Sequence, residues 1–222
     1  MSKVLIVLAH PNFEKSFGNK GIVENFKSLC PVAEVDDLYK LYPDFKIDVK
    51  KEQEKLLKAD IIIFQFPMFW YNAPALLRLW FEKVLEHGFA YGSKGTSLKG
   101  KKLLASFTTG SATDDYKEGG VQNYTLDDLM KGLHQLANLC SMNWCGFVTT
   151  GGVMFFGKED PEKVQKMKDR LKQHAKEIVD KLKWKKQALS YSIRILFEKN
   201  KYIKLNLLIK NKINLLKYET LI

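Results

Sequence analysis

Lys3-Val4-Leu5-Ile6-Val7-Leu8-Ala9-His10-Pro11-Asn12 is the stretch on which the fold turns. After Lys3 it has no polar alternation, so it describes a strand covered on both faces and not one with a wet side. His10-Pro11-Asn12 stops it. From about Ser16 to Leu29 the pattern becomes helical. A buried strand, a short polar loop and a helix form the first half of a unit that builds parallel sheets.

The same alternation continues along the chain. Residues 32–35 read as a second, shorter strand, residues 52–58 as part of a helix, and residues 60–66 (DIIIFQF) as a third, Ile-rich strand. Residues 73–85 read as a helix with Pro74 in its first turn. A fourth strand is expected over 102–107. Thr125-x-x-Asp128 then offers a capping box for a helix to about Cys140. Residues 143–151 make a fifth strand. Asp160-Pro161 starts a last helix, with Val164, Met167, Leu171, Ile178 and Leu182 at helical spacing. Five strands with such crossovers predict an α/β, flavodoxin-like doubly wound parallel sheet of order 2-1-3-4-5, with helices on both faces.

The 222 residues are 45% apolar and 27% charged, which excludes disordered, collagen-like and disulfide-scaffold classes. A formal charge of +11 would suggest nucleic acid or a membrane surface. However, residues 185–222 carry nine Lys/Arg against two acids, leaving +4 for residues 1–184. Two regions follow: a flavodoxin-like unit over 1–184 and a basic tail over 185–222.

Cys30, Cys140 and Cys145 cannot close a disulfide set, and no secretory leader is visible, so a reducing cytoplasm is expected. Cys140-x4-Cys145 with His134 lacks zinc spacing, and no metal is expected. The apolar run 61–81 contains Pro67, Asn72, Pro74 and Arg78, which argues against a membrane span.

Ligands of such sheets bind outside the carboxyl ends of the strands, so the loops after strands one, three and four carry the information. Loop one runs from His10 to Asn19, and small polar residues at its helix start can hold a phosphate. The competing reading is that Ser16 only caps the helix. Loop three, Phe66-Pro67-Met68-Phe69-Trp70-Tyr71-Asn72-Ala73-Pro74, offers a flat apolar wall for a planar heterocycle, or else core and dimer contacts. Loop four, Thr108-Thr109-Gly110-Ser111-Ala112, is small and donor-rich. Trp80, Phe81 and Phe89 read as packing or dimer contacts. His87, His134 and His174 read as ordinary surface or helix histidines.

Two tempting motifs fail. Gly95-Thr96-Ser97-Leu98-Lys99-Gly100-Lys101 comes close to a phosphate-binding loop, but Lys102 replaces the required Ser/Thr and the segment precedes a strand. No G-x-G-x-x-G fingerprint is present.

Several segments together resemble the NAD(P)H quinone oxidoreductases. They are Leu8-Ala9-His10-Pro11-Asn12 with Ser16-x-x-Asn19, residues 37–45 (DLYKLYPDF), Gln65–Tyr71, Pro74–Leu77, Phe89–Gly92 and Thr108-Thr109-Gly110. That family includes DT-diaphorases, bacterial general-stress proteins and ancillary subunits of potassium-efflux systems. The resemblance spans about residues 1–184.

It implies bound FMN or FAD and NAD(P)H as electron donor. Phosphate contacts would fall on His10, Ser16, Phe17, Gly18 and Asn19. Ring contacts would fall on Pro67, Met68, Phe69, Trp70, Tyr71, Thr108, Thr109, Gly110 and Ser111. It further implies ping-pong hydride transfer through flavin N5 to a quinone, and a homodimer with its active sites at the subunit interface.

Tyr116 matches a charge-relay tyrosine of the DT-diaphorases and is the catalytic candidate; a plain surface tyrosine is the alternative. The relay's histidine falls on Gln122, which does not titrate. Ser111 departs from the usual Thr-Thr-Gly-Gly. Two alternative functions share these motifs. One is a flavin-binding ancillary subunit of a glutathione-gated potassium-efflux system. The other is a nitro- or azo-reductase.

The tail changes composition: Ile, Leu, Lys, Asn and Tyr supply 26 of the 33 residues from Ser190 to Ile222. A basic amphipathic helix with Leu205, Leu208, Ile209, Ile213 and Leu216 on one stripe would give peripheral membrane contact. A partner-binding extension and unselected, AT-rich read-through coding sequence are the other readings. Nucleic-acid binding is not expected, since no recognised module is present.

Overall fold

The structure is a computed structural model that describes residues 3–153 and 160–182. The chain divides into two units, residues 1–182 and 183–222. The readings of the tail lie outside the described residues.

Five parallel strands form one sheet in the order β2-β1-β3-β4-β5. They are β1 (Val4–Leu8), β2 (Glu34–Asp37), β3 (Ile61–Pro67), β4 (Lys102–Thr108) and β5 (Asn143–Thr150). The expected order is the order found. The helices are α1 (Phe17–Leu29), α2 (Leu38–Leu41), α3 (Val49–Lys58), α4 (Ala75–Val84), α5 (Leu126–Leu139) and α6 over residues 161–182.

Alternate strand residues feed two separate cores, one per face. Leu5, Val7, Ile62, Phe64, Phe66, Leu103, Ala105 and Phe107 pack on the face covered by α3, α4 and α5, with Trp80 fully buried. Val4, Ile6, Leu8, Ile61, Ile63, Leu104 and Val148 pack on the opposite face. There they meet Ile22, Val23 and Phe26 of α1 and Met167, Leu171, Ala175, Ile178 and Leu182 of α6. A helix layer on each side is why β1 and β3 show no polar alternation.

Local signals set the helix starts. Ser16 accepts from the Asn19 amide, Asp48 from Lys51, and Thr125 from Asp128, whose carboxylate returns to the Thr125 amide.

Three expectations shift. The second strand lies at 34–37, two residues beyond 32–35, and Val32 is exposed. The sheet takes the acidic pair because Lys55 and Glu52 surround Asp36, and Asp37 caps α2. Pro74 sits at the cap position of α4, one residue before its first turn. His174 is no surface histidine: it is 2% exposed.

Candidate functional site

The three carboxyl-edge loops lie at adjoining strand ends, because β1, β3 and β4 are neighbours in the sheet. Met68 donates its backbone amide to Thr108 O at 2.8 Å, so loops three and four start as one ladder. Pro67 therefore belongs to the sheet, and the Met68 amide is spent on it. Of the predicted loop-three contacts, Phe69, Trp70 and Tyr71 are the exposed ones.

Phe69 and Asn72 exchange both backbone bonds, at 2.9 and 3.0 Å, which leaves Trp70 and Tyr71 as a two-residue hairpin tip. Both take positive φ, 50° and 62°. That geometry favours Asn-Gly, and two bulky aromatics there hold strain of a kind concentrated at ligand sites. Trp70 is 94% exposed. Its indole stands almost wholly in solvent.

Loop one provides the opposite end. Ser16 caps α1, and its hydroxyl accepts from the Asn19 amide at 3.2 Å. Ser16 does cap the helix, which is compatible with an anion site at the same helix start. Phe17 is half-buried against the α1/α6 core, and Gly18 is buried. A Cβ on Gly18 would come within 3.3 Å of Thr108 Cγ2 and closer still to the Val153 side chain, so loops one and four close on this glycine. Burial lowers the pKa of His10. Its Nδ1 accepts from the Asn12 amide at 3.0 Å, so the neutral ring carries its proton on Nε2 and acts as a donor, not a cation.

Loop four is fastened to the end of β5. The Thr109 amide donates to Thr150 O, the Thr109 hydroxyl to Ser111 O, and the Gly152 amide also to Ser111 O. A Cβ on Gly151 would lie 2.5 Å from the Thr113 amide nitrogen, so only glycine lets the two loops close. Gly110 is exposed at the tip. Tyr116 follows a short 3-10 turn and packs half-buried beside Thr109 and Ser111. Burial raises its pKa, against hydrogen bonds with Thr109 and Ser111, so the phenol stays protonated as a donor. Gln122 donates to the Ser111 hydroxyl at 2.8 Å.

Sequence reading missed a buried polar array behind these loops. Gln65, Ser106 and Thr150 lie near the carboxyl ends of β3, β4 and β5, on the face covered by α1 and α6. Asn19 from α1 and His174 from α6 complete it. The signal was present: His174 shares the helical stripe of Met167, Leu171 and Ile178. Among the described residues no group of three His, Cys, Asp or Glu could hold a metal, and no helix is long and apolar enough to cross a membrane.

The strand order and the three loops at the carboxyl edge define a flavodoxin-like α/β protein. The chain belongs to the flavodoxin-like fold family, which residues 2–175 match. A relative in Bacillus subtilis (strain 168), called an uncharacterized NAD(P)H oxidoreductase, YrkL, is 41% identical over 181 residues. That match covers 82% of this chain and 98% of the relative. The crystal structure of general stress protein 14 from Treponema denticola in complex with FMN superposes with a TM-score of 0.70 at 30% identity. It covers 82% of this chain and 97% of that one. An NADPH-quinone reductase from P. pentosaceus gives 0.65 at 27% identity, covering 78% and 97%.

Proposed function

We propose that this protein is an FMN-dependent NAD(P)H:quinone oxidoreductase. The observation that carries the reading is the junction of loops one and four. There the Asn19 side-chain amide donates to Thr108 Oγ1 at 3.1 Å and to Ser16 Oγ at 3.4 Å. Hydroxyl and amide donors at a helix start fit a phosphate monoester, and the exposed aromatic pair Trp70-Tyr71 suits a planar ring. A relative of the same fold binds FMN, which favours FMN over FAD, and another is an NADPH-quinone reductase.

When bound, the flavin supplies two-electron hydride chemistry between nicotinamide and acceptor. The chain's own part is binding and polarisation. Ser16, Phe17, Gly18 and Asn19, with His10 as a neutral donor, hold the phosphate. Trp70 and Tyr71 cover the ring and Gly110 and Ser111 supply donors at its polar edge, while the Thr108 hydroxyl turns to the phosphate and Thr109, its amide and hydroxyl spent on Thr150 O and Ser111 O, shapes the loop. Tyr116 acts as the catalytic residue, donating a proton from Oη to an acceptor oxygen.

The working unit is residues 1–184 in a cytoplasmic homodimer. Exposed Trp70, Tyr71, Val121 and Tyr124 support a partner surface beside the site, and sedimentation of the full chain tests it.

Reconstitution with FMN, an absorption spectrum and anaerobic NADPH addition decide the main reading. A bound flavin that bleaches, then recovers on adding a soluble quinone, is the expected result. Failure to bind any flavin overturns it.

A further inference from the structure

The buried array behind the site has a direction. Gln65 donates its side-chain N–H to Asn19 Oδ1 at 2.8 Å, so its carbonyl oxygen is the end that faces Ser106. The Ser106 hydroxyl donates to that oxygen at 2.6 Å. With its proton committed there, Ser106 Oγ has only lone pairs to offer His174 Nε2, which stands 2.8 Å away. His174 must therefore carry its proton on Nε2 and donate. Its Nδ1 is then an acceptor, and the Thr150 hydroxyl, also at 2.8 Å, donates to it.

At the other end the direction is preserved. Asn19 accepts on Oδ1, so its N–H groups point at Thr108 Oγ1 and Ser16 Oγ. Ser16 Oγ also accepts the Asn19 backbone amide. Each hydroxyl has thus been approached through its lone pairs, leaving its proton to be donated outward, where a phosphate needs donors.

Such a chain has two self-consistent polarities. Reversing every link would put the His174 proton on Nδ1 and turn Gln65 and Asn19 over. Asn19 Oδ1 would then face Ser16 and Thr108, drawing their protons inward. The reversed state presents lone pairs to an anion. A neutral imidazole with one N–H and one bare nitrogen, held between two hydroxyls, sits at the head of the chain. Burial pushes His174 down to about 3, so it stays neutral at every working pH.

We propose that His174 is a positioning residue for cofactor binding: acting through Ser106, Gln65 and Asn19, its Nε2–H tautomer fixes the Ser16 and Thr108 hydroxyls as donors to the flavin phosphate. The inference rests on the flavin reading above and assigns a role to a residue on α6 that touches none of the three loops' exposed atoms.

Binding of FMN is compared with binding of riboflavin, which lacks the phosphate, by fluorescence titration of the full-length apoprotein. His174→Leu is expected to weaken FMN by about tenfold and leave riboflavin within about threefold. His174→Gln, which keeps an N–H donor and a carbonyl acceptor, is expected to recover most of the FMN affinity. Nitrogen-15 NMR of the wild type should find a neutral His174 with its proton on Nε2.

Equal weakening of both ligands would reduce His174 to a packing role and overturn the proposal. Unchanged FMN affinity, or a proton on Nδ1, would also overturn it. Should His174→Leu not fold, Ser106→Ala breaks the chain at its middle and must give the same FMN-selective loss. A wild type that binds neither ligand defeats the flavin reading itself. A wild type that binds FMN, with variants unaffected, defeats the positioning role alone.

Discussion

Gln122 reaches across loop four and donates its side-chain amide to the Ser111 hydroxyl at 2.8 Å. Both positions depart from the pattern that the resemblance implies, and they are in contact. A glycine at 111 would leave Gln122 without this acceptor. The bond ties the loop that carries Tyr116 to the loop that would edge the flavin.

Replacing Gln122 with histidine puts a titratable ring where none now stands. For wild type, kcat/KM toward a soluble quinone should be flat between about pH 6 and 8, since the amide of Gln122 does not titrate. Gln122→His should introduce an inflection near about pH 6.5. Identical profiles for the two proteins would remove position 122 from the proton path.

Tyr116→Phe deletes the phenolic donor and little else, because the ring stays packed against the core beside Thr109 and Ser111. Stopped-flow traces should keep flavin reduction by NADPH within about twofold and slow quinone reduction by about a hundredfold, the lower end of general-acid effects. Slowing of both half-reactions alike would point to a role in binding.

The Trp70-Tyr71 tip holds two bulky residues at positive φ. Substituting Asn-Gly there should relieve strain and stabilise the apoprotein by about 1–2 kcal/mol, read as a rise in Tm. FMN affinity should fall by at least about tenfold, because the aromatic wall is gone. A more stable variant with intact affinity would show that the wall does not contact the ring.

On the edge strand, Asp36 of β2 and Glu52 of α3 form a buried carboxyl pair with Lys55. Burial and the Glu52 carboxylate push Asp36 up to about 7, against the pull of Lys55. Burial alone would raise Glu52 too. Bonds from Asp36, Lys55, Tyr42 and Trp80 outweigh it and hold Glu52 below its ordinary value. The proton of the pair therefore resides on Asp36.

Asp36 has a folded pKa above its unfolded one, so its contribution to stability is complete below about pH 4 and is lost as pH rises through about 7. Asp36→Asn mimics the protonated acid. Between pH 4 and 8 the wild type should lose up to about 4 kcal/mol relative to this variant in urea unfolding. A constant difference across that range would mean Asp36 is ionised throughout.

Sequence alone determined the order of the five strands and of the longer helices, the capped starts at Ser16 and Thr125, and the three loops at the carboxyl edge of the sheet. Each of these is a local matter. A run such as Ile61-Ile62-Ile63 must be covered on both sides, and a capping box closes within four residues. The partnerships of buried polar groups were decided only by tertiary structure. His174 meets Ser106 across 68 positions, Gln65 meets Asn19 across 46, and Ser106 meets Gln65 across 41.

The second strand shows the same limit. Glu34-Val35-Asp36-Asp37 is a poor strand by composition, and β2 exists there because β1 offers it an edge and α3 brings Lys55 and Glu52 to Asp36. His174 sat in plain view on an apolar helical stripe, but periodicity says only that a residue points inward. What waits for it there depends on which strand ends lie beneath α6, and packing alone fixes that. A buried polar group is tolerable only with partners; those of His174 come from β4 and β5, and the array they open continues to β3 and α1.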